Sequence, residues 1–150
     1  MSRVVVVTGG TRGIGAAISI ELSNSGYKVA AVFAGNEEAA TQFNKEHGIP
    51  IYKIDVSDFN ACQDGIALIE SEVGSVDILV NNAAWNIGIP FPNLDDLTPE
   101  IWDRVLETNL RAPFLIARAA ASLLKADVGG HIVNISSAGG ISPGSSSIAY

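Results

Sequence analysis

The sequence predicts an α/β domain built on a doubly wound parallel sheet. Short apolar runs alternate with helical patterns along the whole chain, the mark of successive βαβ units. Those runs are continuous rather than alternating, as in VVVV at 4–7, which is how strands read when helices cover both faces. A glycine-rich stretch sits between the first run and the first helical pattern, where such a sheet turns its opening strand into a helix. Strands are expected over residues 3–8, 28–33, 50–54, 76–81 and 131–136. Ile14, Ile18 and Leu22 form one helical stripe stopped by Gly26, and Cys62, Ile66, Ile69 and Val73 form another. Thr98 as cap and Pro99 in the first turn open a long helix expected to run to about Lys125. The strands should order 3-2-1-4-5, which leaves HIVNIS at an uncovered edge.

Composition bounds the function before any motif does. A chain of 150 residues with 47% hydrophobic and 17% charged residues is expected to form one globular domain over 1–150, or part of one. A formal net charge of -7 with nine scattered Lys and Arg argues against a nucleic-acid partner, because phosphate binding requires clustered cations. One cysteine permits no internal disulfide, and two distant histidines with it make no metal site. No apolar run approaches membrane-spanning length, so the protein is expected to be soluble, and the single cysteine makes a reducing cytoplasm the expected setting.

The stretch VVVVTGGTRGIG reads as strand, tight turn and helix start, with Gly9, Gly13 and Gly15 spaced G-x-x-x-G-x-G. Missing side chains let the backbone approach a pyrophosphate, and the free N–H groups and dipole of the following helix favour its charge. The stretch is a candidate dinucleotide site on a Rossmann-like sheet. A triphosphate loop would require Lys where Ala16 stands, so phosphoryl transfer is not expected. Binding of an unphosphorylated dinucleotide usually places a carboxylate at the end of the second strand, for the ribose 2′-hydroxyl. Phe33 and Ala34 stand there instead, and Arg12 offers a cation from the glycine loop. NADP(H) is therefore expected in preference to NAD(H), with NAD(H) as the alternative.

Thr8-Gly9-x-x-x-Gly13-x-Gly15, Asp55 after the third strand and NNAA at 81–84 together resemble the short-chain dehydrogenase/reductase family, and within it the members that reduce 3-oxoacyl thioesters. The resemblance runs through the whole chain. It implies that the cofactor is held by Gly9, Thr11, Arg12, Gly13, Ile14 and Gly15 of the loop, by Asp55 and Val56 on the adenine side, and by Asn81 and Ala83. Where the family usually carries Gly, this chain has Ala84. The family's catalytic set is Asn, Ser, Tyr and Lys, with Tyr about thirteen residues after Ser and Lys four after Tyr. Asn109, Ser137 and Tyr150 match the first three, and the sequence stops before the fourth.

A ketone reduced by hydride develops negative charge on oxygen, so its site needs an acid and a hydrogen-bond donor there. Tyr150 suits the first role and Ser137 the second. Pro113 lies four residues after Asn109 and has no N–H for the Asn109 carbonyl, so the long helix should kink at that point. Trp85, Ile87, Ile89, Phe91 and Leu94 form an apolar loop that could pack or line a substrate pocket. The expected function is hydride transfer between a nicotinamide cofactor and a small-molecule ketone or secondary alcohol, with 3-oxoacyl carrier-protein or acyl-CoA thioesters as candidate substrates. The alternative is a noncatalytic dinucleotide-binding or partner-binding module. The expectation is also that the 150 residues are the amino-terminal part of a longer reductase, inactive alone, and that the full-length protein is a homo-oligomer, dimer or tetramer, as the resembled family commonly is.

Overall fold

A computed structural model describes residues 2–126, 129–142 and 146–150. Five parallel strands form one sheet: β1 (Val4–Thr8), β2 (Lys28–Phe33), β3 (Ile51–Lys53), β4 (Val76–Asn81) and β5 (His131–Asn134). Their order is β3-β2-β1-β4-β5, as the sequence predicts. Every residue of β1 is buried, because its alternating side chains feed two separate cores. Val6 points into one with Val32, Ile54, Leu79 and Ile116, and Val5 and Val7 point into the other with Val29, Phe43 and Val80. The pairing of β1 with β4 slips one residue between Val4 and Val5. Asp77 sits at that slip, and its Oδ2 accepts the Val4 N–H at 2.7 Å.

The helices α1 (Gly13–Asn24), α2 (Glu37–His47), α3 (Phe59–Glu72), α4 (Pro99–Leu106), α5 (Ala112–Ala119) and α6 (Ala121–Leu124) connect these strands. Asn36 and Asp58 cap α2 and α3, each side chain accepting N–H groups of the first turn. Cys62, Ile66 and Ile69 of α3 are buried against the sheet, and Val73 packs at the rim of the same core. Burial pushes the Cys62 thiol up to about 11, with the Asp58 and Asp55 charges adding to the effect. This cysteine is inert core.

Three expectations are corrected. The stripe on α1 holds only in part: Ile18 and Leu22 pack half-buried against the second core, but Ile14 is 68% exposed, and the buried positions are Gly15 and Ser19. Small residues face the sheet because the helix lies almost on the Gly10 backbone, and the Ser19 hydroxyl donates to the Gly10 carbonyl at 2.9 Å. Residues 99–125 are not one regular helix. A turn of π-helix, Glu107–Arg111, separates α4 from α5, with the Ala112 N–H reaching back to the Glu107 carbonyl. A further break at Ala120 sets off α6. Finally, β3 and β5 are shorter than expected, although single ladder bonds extend past them: the Ala31 N–H donates to the Pro50 carbonyl at 2.9 Å, the Ile54 N–H to that of Phe33 at 2.8 Å and the Ile135 N–H to that of Asn81 at 2.9 Å. All four residues of β5 are exposed.

Candidate active site

Every candidate site residue lies at the carboxyl ends of the strands, where an open parallel sheet leaves its crevice. The glycine turn leaves β1 with Gly9 at φ +63°, and a β-carbon there would sit 3.1 Å from Ala83 Cα and from Asn82 Nδ2. A β-carbon on Gly15 would overlap the Gly9 carbonyl and come within 2.5 Å of Asn82 Nδ2. Neither neighbour can yield, since Asn82 knits the two central strands together. Its Nδ2 donates to the Thr8 carbonyl at 2.9 Å, and its N–H and that of Ala83 both donate to Thr8 Oγ1 at 3.0 Å. The following helix starts at extended Arg12 with no side-chain cap, so its first N–H groups remain open to a ligand.

A groove of about 900 Å³ runs from this turn across the sheet. Gly9, Thr11, Arg12, Gly13, Ile14, Gly15, Asp55, Val56 and Ala83 all line it. Its far wall is set by an Asx turn in which Asp55 Oδ1 accepts the Ser57 N–H at 3.0 Å and the Ser57 hydroxyl at 2.6 Å. Phe33 at the end of β2 and Ala34, Gly35 and Asn36 after it line the groove and bring no carboxylate. Backbone cradle, open helix start and groove volume all fit a dinucleotide.

Asn81 lies outside the groove. It lines a second, smaller cleft of about 370 Å³ with Asn109, Asn134, Ser137 and Tyr150. Its Nδ2 donates to Asn134 Oδ1 at 2.8 Å, and its own buried Oδ1 has no partner among the described residues. The two cavities meet at Ala83 and Ala84, which line both. Ser137 accepts the Gly139 N–H at 3.1 Å through its side-chain oxygen. That oxygen and the Tyr150 ring both lie within 3.4 Å of where a β-carbon on Gly139 would be, so the glycine lets serine and tyrosine share one corner of the cleft. Tyr150 is brought there by a tight turn, its N–H donating to the Ser147 carbonyl at 3.1 Å, while the Ser147 N–H reaches the Ile87 carbonyl at 3.3 Å.

Asn109 stands on the π turn, and its side chain is fully engaged. Oδ1 accepts the Trp85 N–H at 2.9 Å, and Nδ2 donates to the Trp85 carbonyl at 2.7 Å. The amide thus clamps the backbone where the β4 loop enters the cleft. Pro113 lines the same cleft one turn on. The Trp85 ring lines the groove under Arg104, whose Cζ lies 4.1 Å from the ring centroid. Of the apolar loop, Ile89 is buried and Ile87, Phe91 and Leu94 are exposed, with none of these four lining the cleft.

Thr8, Asn82, Asn134 and Gly139 were not among the expected site residues. The polar residues of VNIS at 133–136, at the end of a strand, offered the signal for Asn134, whereas the roles of Thr8 and Asn82 depend on the β1–β4 pairing.

The chain matches the short chain dehydrogenase family over residues 3–150 and belongs to that family. It is 51% identical over 140 residues to an acetoacetyl-CoA reductase of Rhizobium meliloti, covering 93% of this chain and 57% of that protein. It is 35% identical over 143 residues to the 3-oxoacyl-[acyl-carrier-protein] reductase FabG of Staphylococcus aureus, covering 91% and 56%. Among solved structures, a short chain dehydrogenase from Bacillus anthracis superposes with a TM-score of 0.88 at 25% identity, covering 98% of this chain and 62% of that one. The chain therefore spans somewhat over half the length of the curated relatives it matches.

Proposed function

We propose that this chain carries the cofactor site and most of the catalytic set of an NADP(H)-dependent reductase of 3-oxoacyl thioesters. The observation that carries the reading is the meeting of Asn109, Ser137 and Tyr150 in one cleft that shares Ala83 and Ala84 with the dinucleotide groove. The names of the relatives supply the substrate class. Acetoacetyl-CoA and 3-oxoacyl carrier-protein thioesters both present a ketone two carbons from the thioester carbonyl.

The residues that would hold the dinucleotide are the glycine turn with Thr11, Arg12 and Ile14, then Asp55 and Val56, then Ala83, with Asn81 steadying the wall between groove and cleft. Arg12 and the absence of a carboxylate at Phe33 and Ala34 support NADP(H) over NAD(H). When bound, the cofactor supplies hydride to the ketone carbon. The chain's own residues manage the oxygen. Ser137 donates a hydrogen bond to it, Tyr150 transfers the phenolic proton to it as charge develops, and the product is the secondary alcohol. Asn109 holds the Trp85 backbone and so keeps the two cavities in register. The setting proposed is cytoplasmic and the assembly a homo-oligomer; among the described residues, no helix is long and apolar enough to cross a membrane.

The test follows NADPH consumption by the full-length protein with acetoacetyl-CoA. Turnover should fall at least a hundredfold on Tyr150→Phe, while NADPH affinity holds within about twofold. Turnover unchanged by that substitution would refute the assignment of Tyr150 as acid.

A further inference from the structure

Asn109 and Arg111 stand two residues apart on the π turn, a spacing at which helical side chains do not share a face. They reach to different loops. Asn109 takes the Trp85 backbone, on the side of the β4 loop. Arg111 sends its Nη2–H to the Ser57 carbonyl at 3.1 Å, across 54 residues of sequence, while Nη1 meets Glu107 Oε1 at 3.3 Å within the turn. Ser57 belongs to the Asx turn that shapes the far wall of the groove, since both its N–H and its hydroxyl donate to Asp55.

The two attachments differ in weight. The Arg111–Glu107 pair is exposed at both ends and contributes little by itself. The bond to Ser57 is exposed as well, but it joins two segments distant in sequence through a charged donor. Helix geometry gives it a further purpose. A π turn departs from the regular ladder, and Pro113 cannot donate a backbone bond just beyond it, so outside attachments contribute to holding the turn in place.

We propose that Arg111 is a positioning residue that ties the Asp55–Val56 wall to the turn carrying Asn109, so that one helical element sets both the adenine end of the groove and the clamp at the cleft. The inference rests on the dinucleotide reading of the groove. It assigns to Arg111 an effect on binding of the adenosine half of the cofactor, although its side chain is not among those lining the groove.

The experiment titrates the full chain with NADPH and, separately, with adenosine 2′,5′-bisphosphate, which occupies the adenosine half alone. Arg111→Met keeps the apolar stem and removes the donors, and Arg111→Lys keeps the charge with a single donor group. The Met variant should weaken both ligands by a similar factor, roughly three- to tenfold, and the Lys variant should restore part of that loss. Should the Met variant fold poorly, the Lys variant makes the same comparison, with weakening of about two- to threefold in both ligands. Bisphosphate affinity equal to wild type in the variant that folds overturns the inference while leaving the dinucleotide reading intact. A wild-type chain that binds neither ligand overturns both.

Discussion

Replacing Asn109 by Asp tests the clamp almost isosterically. The acceptor half survives, since a carboxylate oxygen can still take the Trp85 N–H now at 2.9 Å. The other half inverts: a carboxylate oxygen faces the Trp85 carbonyl in place of the amide that donates to it at 2.7 Å. Two acceptors at that distance repel unless the new carboxyl holds a proton, so its folded-state pKa should rise. A hydrogen bond of this kind contributes about 1 kcal/mol, and its loss to repulsion holds the carboxyl above the ordinary carboxylate value of about 3.9. The sign follows. Below about pH 4 the carboxyl is protonated in both states and donates much as the amide did, so the variant is close to wild type. As pH rises through the raised folded-state value, that stability is lost, to a total of about 1 kcal/mol. Thermal melts of wild type and variant should therefore diverge by about 2–4 °C between pH 4 and pH 7. Asn109→Ala, which loses both bonds at every pH, should show a constant deficit. A gap between wild type and the Asp variant that does not change with pH would refute the clamp as described.

Two further substitutions address the groove and the core. Ala34→Asp puts a carboxylate at the end of β2 within the groove, and should lower the NADPH-to-NADH preference by on the order of tenfold through repulsion of the 2′-phosphate; steady-state kinetics with both cofactors measures it. Burial pushes the Tyr52 hydroxyl up to about 12, and its hydrogen bond and charge coupling to Glu72 reinforce the effect. A raised acid pKa means stability present below about pH 10 and lost as pH approaches 12, so urea midpoints of wild type should fall across that interval more steeply than those of Tyr52→Phe.

The strands and their order were legible because each depends on local composition and on the rules of connection. Four valines in a row and a glycine turn leave few alternatives to a central buried strand opening a parallel sheet. Cys62, Ile66 and Ile69 were legible for the same reason, since α3 buries bulk at regular spacing. The α1 stripe was legible at Ile18 and Leu22 but misled at Ile14, because periodicity rewards large residues, whereas the start of this helix presses small ones against the sheet: a β-carbon on Gly10 would stand 2.9 Å from Ser19 Oγ and 3.1 Å from Ala31 Cα. Such closeness is a property of two segments at once. The irregularity near Pro113 was visible in the sequence, but its form as a wide turn was not. Among the candidate site residues, Ser137 and Tyr150 were picked out by matching the spacing of the resembled family's catalytic set. The side-chain duties of Asn109, Asn82 and Arg111 did not, because each bonds to backbone 24 to 74 residues away, and backbone acceptors leave no mark in a sequence.

Ala83 and Ala84, common to both cavities, have a consequence for how affinities combine. A molecule that fills the groove as far as these two residues becomes wall material for the cleft. The shape of the cleft is then a joint property of protein and first ligand, and a small carbonyl compound titrated into the bare chain meets a chamber with one side open. Reciprocity requires that whatever factor the groove's occupant adds to binding in the cleft, the cleft's occupant adds to binding in the groove. Screening small molecules against this chain without a dinucleotide would rank them for the wrong cavity.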